Sequence, residues 1–297
     1  MKITILTTVL TFSTSALLFG QDGVELAAEI EKDKLDQTTE IGEVETVDNP
    51  DLAEAADRAG NVAPSEKLPV IKRKTPDPTA AELAKVPPTE RQVLSNHMQR
   101  ASVFVRGIRL QEALDELFQA EAVTSKYKAN FYQLYNLKGA VYTKMREFEQ
   151  SRTAFDRAIE IDPESFHPQF NLAELEFVEK NWVAAEKAFS ALVDRYGNKP
   201  LGEDLEIELT TERLMQFKIV VCMLMQGREE DALAIIKKFN YLEDNPAYYY
   251  GYAAVEFSKG NKEEAQTWLE SAKRIYDPSL LEVFVDSFVE VGWVETL

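Results

Sequence analysis

The feature that most limits the fold is a twelve-residue interval between small side chains, repeated along the later two-thirds of the chain. It links Ala101 to Ala113, Gly139 to Ser151, Ala173 to Ala185 and Ala253 to Ala265; Val220 to Ala232 follows it with a bulkier first member. Four residues after each second member comes a large apolar side chain: Leu117, Phe155, Phe189, Ile236 and Leu269. Three further on stand Ala120, Ala158, Leu192, Phe239 and Ala272. A step of four and then three keeps side chains on one face of a helix. Between the two small residues lies a turn-prone polar stretch, "VRGIRL", "KMREF", "EKNW", "QGRE" or "KGNK". One helix has no use for such a break. Two short antiparallel helices do, and they approach closely only where their side chains are small. Pro163, Pro200, Pro246 and Pro278 fall at or near the ends of the units, where a helix cannot easily continue. A single pair leaves an apolar face exposed, so several must stack.

These units resemble tetratricopeptide repeats, helix–turn–helix modules of about 34 residues. Tyr135, Gly139, Tyr142, Ser151, Phe155, Ala158 and Pro163 fall on the family's signature positions, with Lys138 where Leu is usual. The next unit keeps Leu172, Ala173, Ala185 and Phe189, with Gln169 in place of Trp. Spacings between the second-helix small residues are 38, 34, 47 and 33, so an acidic insertion, "KPLGEDLEIELTTE", precedes the fourth unit. The resemblance covers roughly 94–277. It implies an all-α fold: a right-handed α-α superhelix, or solenoid, of about five helix pairs over 92–278. The remaining 279–297, with Leu281, Phe284, Val285, Phe288 and Val289 at helical spacing, is expected to be a C-terminal capping helix.

The resemblance further implies a concave groove, lined by the first helix of each unit, that holds a partner protein or peptide. Residues on the corresponding positions are Gln99, Ser102 and Arg106, then Gln133, Asn136, Thr143 and Lys144. His167, Phe170, Asn171 and Glu174 follow, and then Lys218. Asn amides there are suited to pairing with a peptide backbone, and Lys144, Lys218 and Arg106 to meeting acidic groups. Only Asn171 and Lys218 match the family's carboxylate-clamp positions, while Asn136 and Ala140 stand where Lys and Asn are needed, so a C-terminal carboxylate is not the expected ligand. In "PAYYYGY", Tyr249 and Tyr252 match packing positions. Tyr248 and Tyr250 are expected to face elsewhere, as an alternative aromatic patch for a carbohydrate or peptidoglycan strand.

Outside the repeats, residues 1–20 carry Lys2 and then an apolar run, the layout of a secretory signal peptide. An uncleaved N-terminal anchor is the rival reading. Either points to export, to the periplasm or cell envelope or to secretion, with any membrane tether confined to these residues. Residues 21–91, first acidic and then Pro-rich, bury too little apolar surface to fold and are expected to form a disordered linker. The net charge of −18 argues against nucleic acid, which needs clustered Lys and Arg. With one cysteine, Cys222, and two histidines, His97 and His167, neither a disulfide nor a metal site is expected. No glycine-rich phosphate loop, nucleophile elbow or metal-spaced His pair is present. The reading is therefore a noncatalytic exported scaffold without cofactor; the sequence is silent on its oligomeric state.

Overall fold

A computed structural model of the chain describes residues 75–197, 209–241 and 245–295. Residues 1–74, 198–208, 242–244 and 296–297, which hold the expected leader, most of the expected linker and most of the acidic insertion, lie outside the described residues. The rest is all-helical, a stack of consecutive helix pairs in a tetratricopeptide-like solenoid. A short helix, α1 (Thr79–Ala84), precedes the pairs. Repeat 1 is α2 (Pro88–Arg106) and α3 (Leu110–Lys126), and repeat 2 is α4 (Tyr132–Lys144) and α5 (Phe148–Ile161). Repeat 3 is α6 (Phe166–Val178) and α7 (Trp182–Tyr196), and repeat 4 is α8 (Leu209–Met225) and α9 (Glu229–Ile236). Repeat 5 is α10 (Ala247–Ser258) and α11 (Lys262–Lys273), and α12 (Pro278–Val291) follows.

The side-chain size rule is what holds the pairs together. The small, small, large and following positions of all five repeats are buried, most of them completely. A methyl group placed on Gly139 would lie 2.5 Å from the Phe155 ring, so the α4–α5 crossing has room for a hydrogen atom and no more. The Gly139 carbonyl also accepts hydrogen bonds from Ser151 Oγ at 2.9 Å and Thr143 Oγ1 at 3.0 Å, which fasten the two helices at their closest point. Each intra-repeat turn puts one residue in the left-handed region, two places before the second helix: Ile108, Arg146, Lys180, Gly227 and Gly260. Only the last two use the residue that adopts this conformation freely.

Departures from the family pattern have local reasons. Lys138 is accommodated where Leu is usual because its stem is buried while its ammonium bonds Glu121 at 2.8 Å and lies 4.7 Å from the Phe118 ring centre. Gln169 replaces Trp by donating to the Ser165 carbonyl at 2.8 Å and lying 3.2 Å from the Tyr196 hydroxyl.

The expected linker ends too late in the chain. Residues 79–84 form α1, and α2 begins at Pro88. Pro88 sits at the first turn of its helix, where the missing N–H costs nothing. Leu83 and Val86 are buried with Leu94 and Met98 of α2, Gln133 Nε2 donates to Thr79 Oγ1 at 2.9 Å, and the Asn130 N–H donates to Glu82. The Pro-rich composition masked a short segment that is tied down by contacts to repeats 1 and 2.

Candidate functional site

The first helices α2, α4, α6, α8 and α10 form the concave wall, as the repeat register requires. Its floor over repeats 4 and 5 is apolar: Phe217, Val221 and Leu224 on α8, Tyr250, Ala254 and Phe257 on α10, all buried. What covers its aromatic rings is α12. Its Phe284 ring centre lies 5.2 Å from Phe217 and 5.3 Å from Tyr250. Phe288 stacks on Tyr250 at 5.6 Å and meets Phe257 edge-on at 5.3 Å, and Trp293 lies flat against Phe257 at 5.9 Å. Leu281 and Val285 complete the buried stripe. Beyond following the last pair as a cap would, α12 runs back along the concave wall towards repeat 2.

Its polar face meets the charged residues of the groove. Lys218 on α8 donates to Glu174 of α6 at 3.0 Å and to Ser287 of α12 at 3.1 Å, with its ammonium 4.5 Å from the Phe177 ring centre. Arg146, in the α4–α5 turn, forks onto both carboxylate oxygens of Glu290 at 3.0 and 3.1 Å. Lys144 is half-buried beside Asp286 and Glu290. Burial pulls its ammonium below the ordinary range, and those two carboxylates oppose the shift. Burial pushes the carboxyls of Glu174 and Glu290 up against the pull of Lys218 and, for Glu290, Arg146. Deeper along the wall, Asn171 Nδ2 donates to Asn136 Oδ1 at 2.9 Å, tying α6 to α4.

Of the candidate residues, Gln99 and Arg106 are exposed on repeat 1 and Lys144 is half-exposed. Gln133, Asn136, His167, Asn171, Glu174 and Lys218 are buried. Three candidates need correction. Phe170 is core, its ring between Phe166 at 5.5 Å and Phe189 at 5.8 Å. Ser102 and Thr143 are buried and bond backwards to the Met98 and Gly139 carbonyls, the usual recourse of a hydroxyl inside a helix. The Tyr248–Tyr250 patch also fails as a pair. Tyr250 is completely buried under α12, and Tyr248 packs among Tyr241, Tyr249, Tyr252 and Trp268. Arg146, Ser287, Asp286 and Glu290 were not anticipated. The available signal was the apolar identity of concave positions such as Phe217 and Phe257, which a water-filled groove would not carry.

Elsewhere, His97 bonds Glu116 at 2.6 Å and Arg100 joins the same carboxylate, an ion-pair cluster across repeat 1. Cys222 is buried on α8 and its thiol is pushed up to about 12 by burial. No cluster of three potential metal ligands occurs among the described residues, and none of their helices is long and apolar enough to cross a membrane.

A stack of helix pairs with a lined concave wall defines a helical-repeat solenoid, the class of proteins that presents an extended inner surface to other chains. Residues 137–200, from within α4 through α7 to the start of the insertion, match the family model described as tetratricopeptide repeat. Comparison with curated proteins and with solved structures gave no significant match.

Proposed function

We propose that the protein is a noncatalytic scaffold, exported through residues 1–20 to the periplasm or cell envelope, that holds a segment of a partner protein in its concave groove. The observation that carries this reading is the gathering of Lys144, Arg146 and Lys218 on one wall of a strongly acidic chain, aimed at the acidic face of a helix lying in the groove. A groove that already holds one acidic amphipathic segment has the chemistry to hold another. The noncatalytic part is supported by the pairing of groove side chains with one another, Asn171 Nδ2 with Asn136 Oδ1 and Lys218 with Glu174 Oε2. The carbohydrate-binding alternative has less support, because Tyr250 is part of the floor under α12.

The test is affinity capture from envelope fractions with the intact exported chain. Discrete protein partners retained by wild type and lost with Arg106→Glu/Lys144→Glu, at unchanged helicity, are the expected result. Partners retained equally by both proteins would refute groove binding, and recovery of the chain only in the cytoplasmic fraction would refute export.

A further inference from the structure

We infer that α12 occupies a helix-binding site of repeats 2–5 as a built-in stand-in, and that the external occupant is an amphipathic helix of a partner protein, aromatic on one face and acidic on the other, which displaces it. The inference rests on the scaffold reading above and specifies its partner and its control. Three observations converge on it. First, α12 is capped at both ends. Asp277 caps its start by accepting from the Ser279 N–H at 2.9 Å and hydroxyl at 2.6 Å, and Gly292, left-handed at φ 83°, ends it. It therefore has the local signals to remain a helix when it leaves the wall.

Second, its grip is that of a ligand helix. Leu281, Phe284, Val285 and Phe288, at i, i+3, i+4 and i+7, fill an aromatic floor, and Asp286 and Glu290 face the basic residues Lys144, Arg146 and Lys218. Third, the wall beneath it keeps two buried polar atoms without a hydrogen-bond partner: Tyr250 Oη, against Phe284 and Phe288, and Glu174 Oε1, near Asp286 and Glu290. A surface that alternates between occupants keeps groups that a better-matched ligand satisfies.

The experiment titrates a fluorescein-labelled α12 peptide (residues 278–293) into the full chain and follows anisotropy. Three forms are compared: wild type, the loosened Phe284→Ala/Phe288→Ala, and Arg146→Cys/Glu290→Cys bridged with a bis-maleimide. Cys222 is buried and stays out of the cross-link. The loosened chain should bind the peptide at least tenfold more tightly than wild type, and the locked chain at least tenfold more weakly. Equal affinity in all three forms overturns the inference, as does no binding to a loosened chain of wild-type helicity. A doubled mass by light scattering overturns it too, since the occupant would then be the α12 of a second copy. If the loosened chain does not fold, hydrogen exchange of wild type decides. Amides of α12 exchanging at least tenfold faster than those of α8 and α10 support displacement, and equal protection overturns it. Partner capture that the α12 peptide fails to compete sinks this inference and leaves the scaffold reading standing. Loss of capture altogether sinks the scaffold reading.

Discussion

Replacing Gly139 by Ala separates two opposed effects and tests the side-chain size rule directly. In an exposed helix the change stabilises by about 1 kcal/mol, because Ala is the better helix former. Here the added Cβ lies 2.5 Å from Cδ1 and Cε1 of Phe155 and 2.9 Å from Cζ, against an ordinary carbon–carbon separation of about 3.5–4.0 Å. The ring must retreat by about 1 Å. It is completely buried and clusters with Ala140 and Leu175, so the retreat displaces packed neighbours. Overpacking of this kind costs about 1–3 kcal/mol. The gain and the cost together leave Gly139→Ala destabilised by up to about 2 kcal/mol. Urea unfolding followed by circular dichroism should show a lower midpoint at unchanged slope. Gly251→Ala is the internal control, since its Cβ would lie 3.0 Å from Ile236 Cγ1, a gap that a small side-chain shift can widen. It should fall within about 1 kcal/mol of wild type. In a Phe155→Leu background most of the Gly139→Ala penalty should vanish. A stabilised Gly139→Ala, or a penalty that survives the loss of the ring, would refute the close-approach account.

Other perturbations test the groove and the turns. Lys218→Met strands the Glu174 carboxylate in the wall, so it should cost about 3–5 kcal/mol in urea unfolding, and Lys218→Met/Glu174→Leu should recover most of that loss. Glu174 and Glu290 both titrate above the ordinary 4.5 in the folded chain, through burial and the proximity of Asp286, with Lys218 and Arg146 opposing. From 4.5 upward the folded protein therefore holds protons that the unfolded chain has released. These two groups make stability fall as pH rises through that window and level off above their folded values; Glu174→Gln should flatten the fall in melting temperature. Ile108 is a β-branched residue at φ 57°, and its side chain is largely exposed. Ile108→Asn should raise stability by about 1 kcal/mol by relieving that strain, and an unchanged melting temperature would show that the turn is not strained.

The helix pairs were legible because their information is local. A small residue, a polar turn and a second small residue twelve positions on are read within one segment, and each falls where the pairing places it. The start of the folded body was not legible, because Pro78 and Pro88 read as breakers. In the chain they open α1 and α2, and the apolar residues Leu83 and Val86 before α2 find burial only against repeats 1 and 2. The same reasoning explains the fate of the site residues. Repeat register assigns a side chain to the concave wall, and register alone does not say whether that wall is wet. Asn136, Asn171, Glu174 and Lys218 are all on the wall or its seam, yet buried.

What turns the wall from wet to dry is a comparison the sequence does permit, between what a position should face and what it carries. A groove open to water should show polar residues on its floor, as repeat 2 does with Asn136 and Thr143, three before and four after its small residue. On α8 and α10 the corresponding stripe reads Phe217, Val221, Leu224, Tyr250 and Phe257. Left exposed, such a stripe would be a large apolar patch of the kind soluble proteins rarely tolerate without a partner. A chain that carries both this stripe and a well-capped terminal helix, with Leu281, Phe284 and Phe288 on one face and Asp286 and Glu290 elsewhere, holds a lock and a key in one sequence. The charges largely agree with the shape: the acids of α12 meet Lys144, Arg146 and Lys218, while Asp286 and Glu290 also repel the buried Glu174 carboxylate. Occupancy of the groove is then governed by the free-energy difference between α12 and a competing helix, and effective concentration favours the tethered one. An external helix succeeds only by making contacts that α12 does not. Tyr250 Oη and Glu174 Oε1, still unsatisfied beneath it, are where those contacts are available.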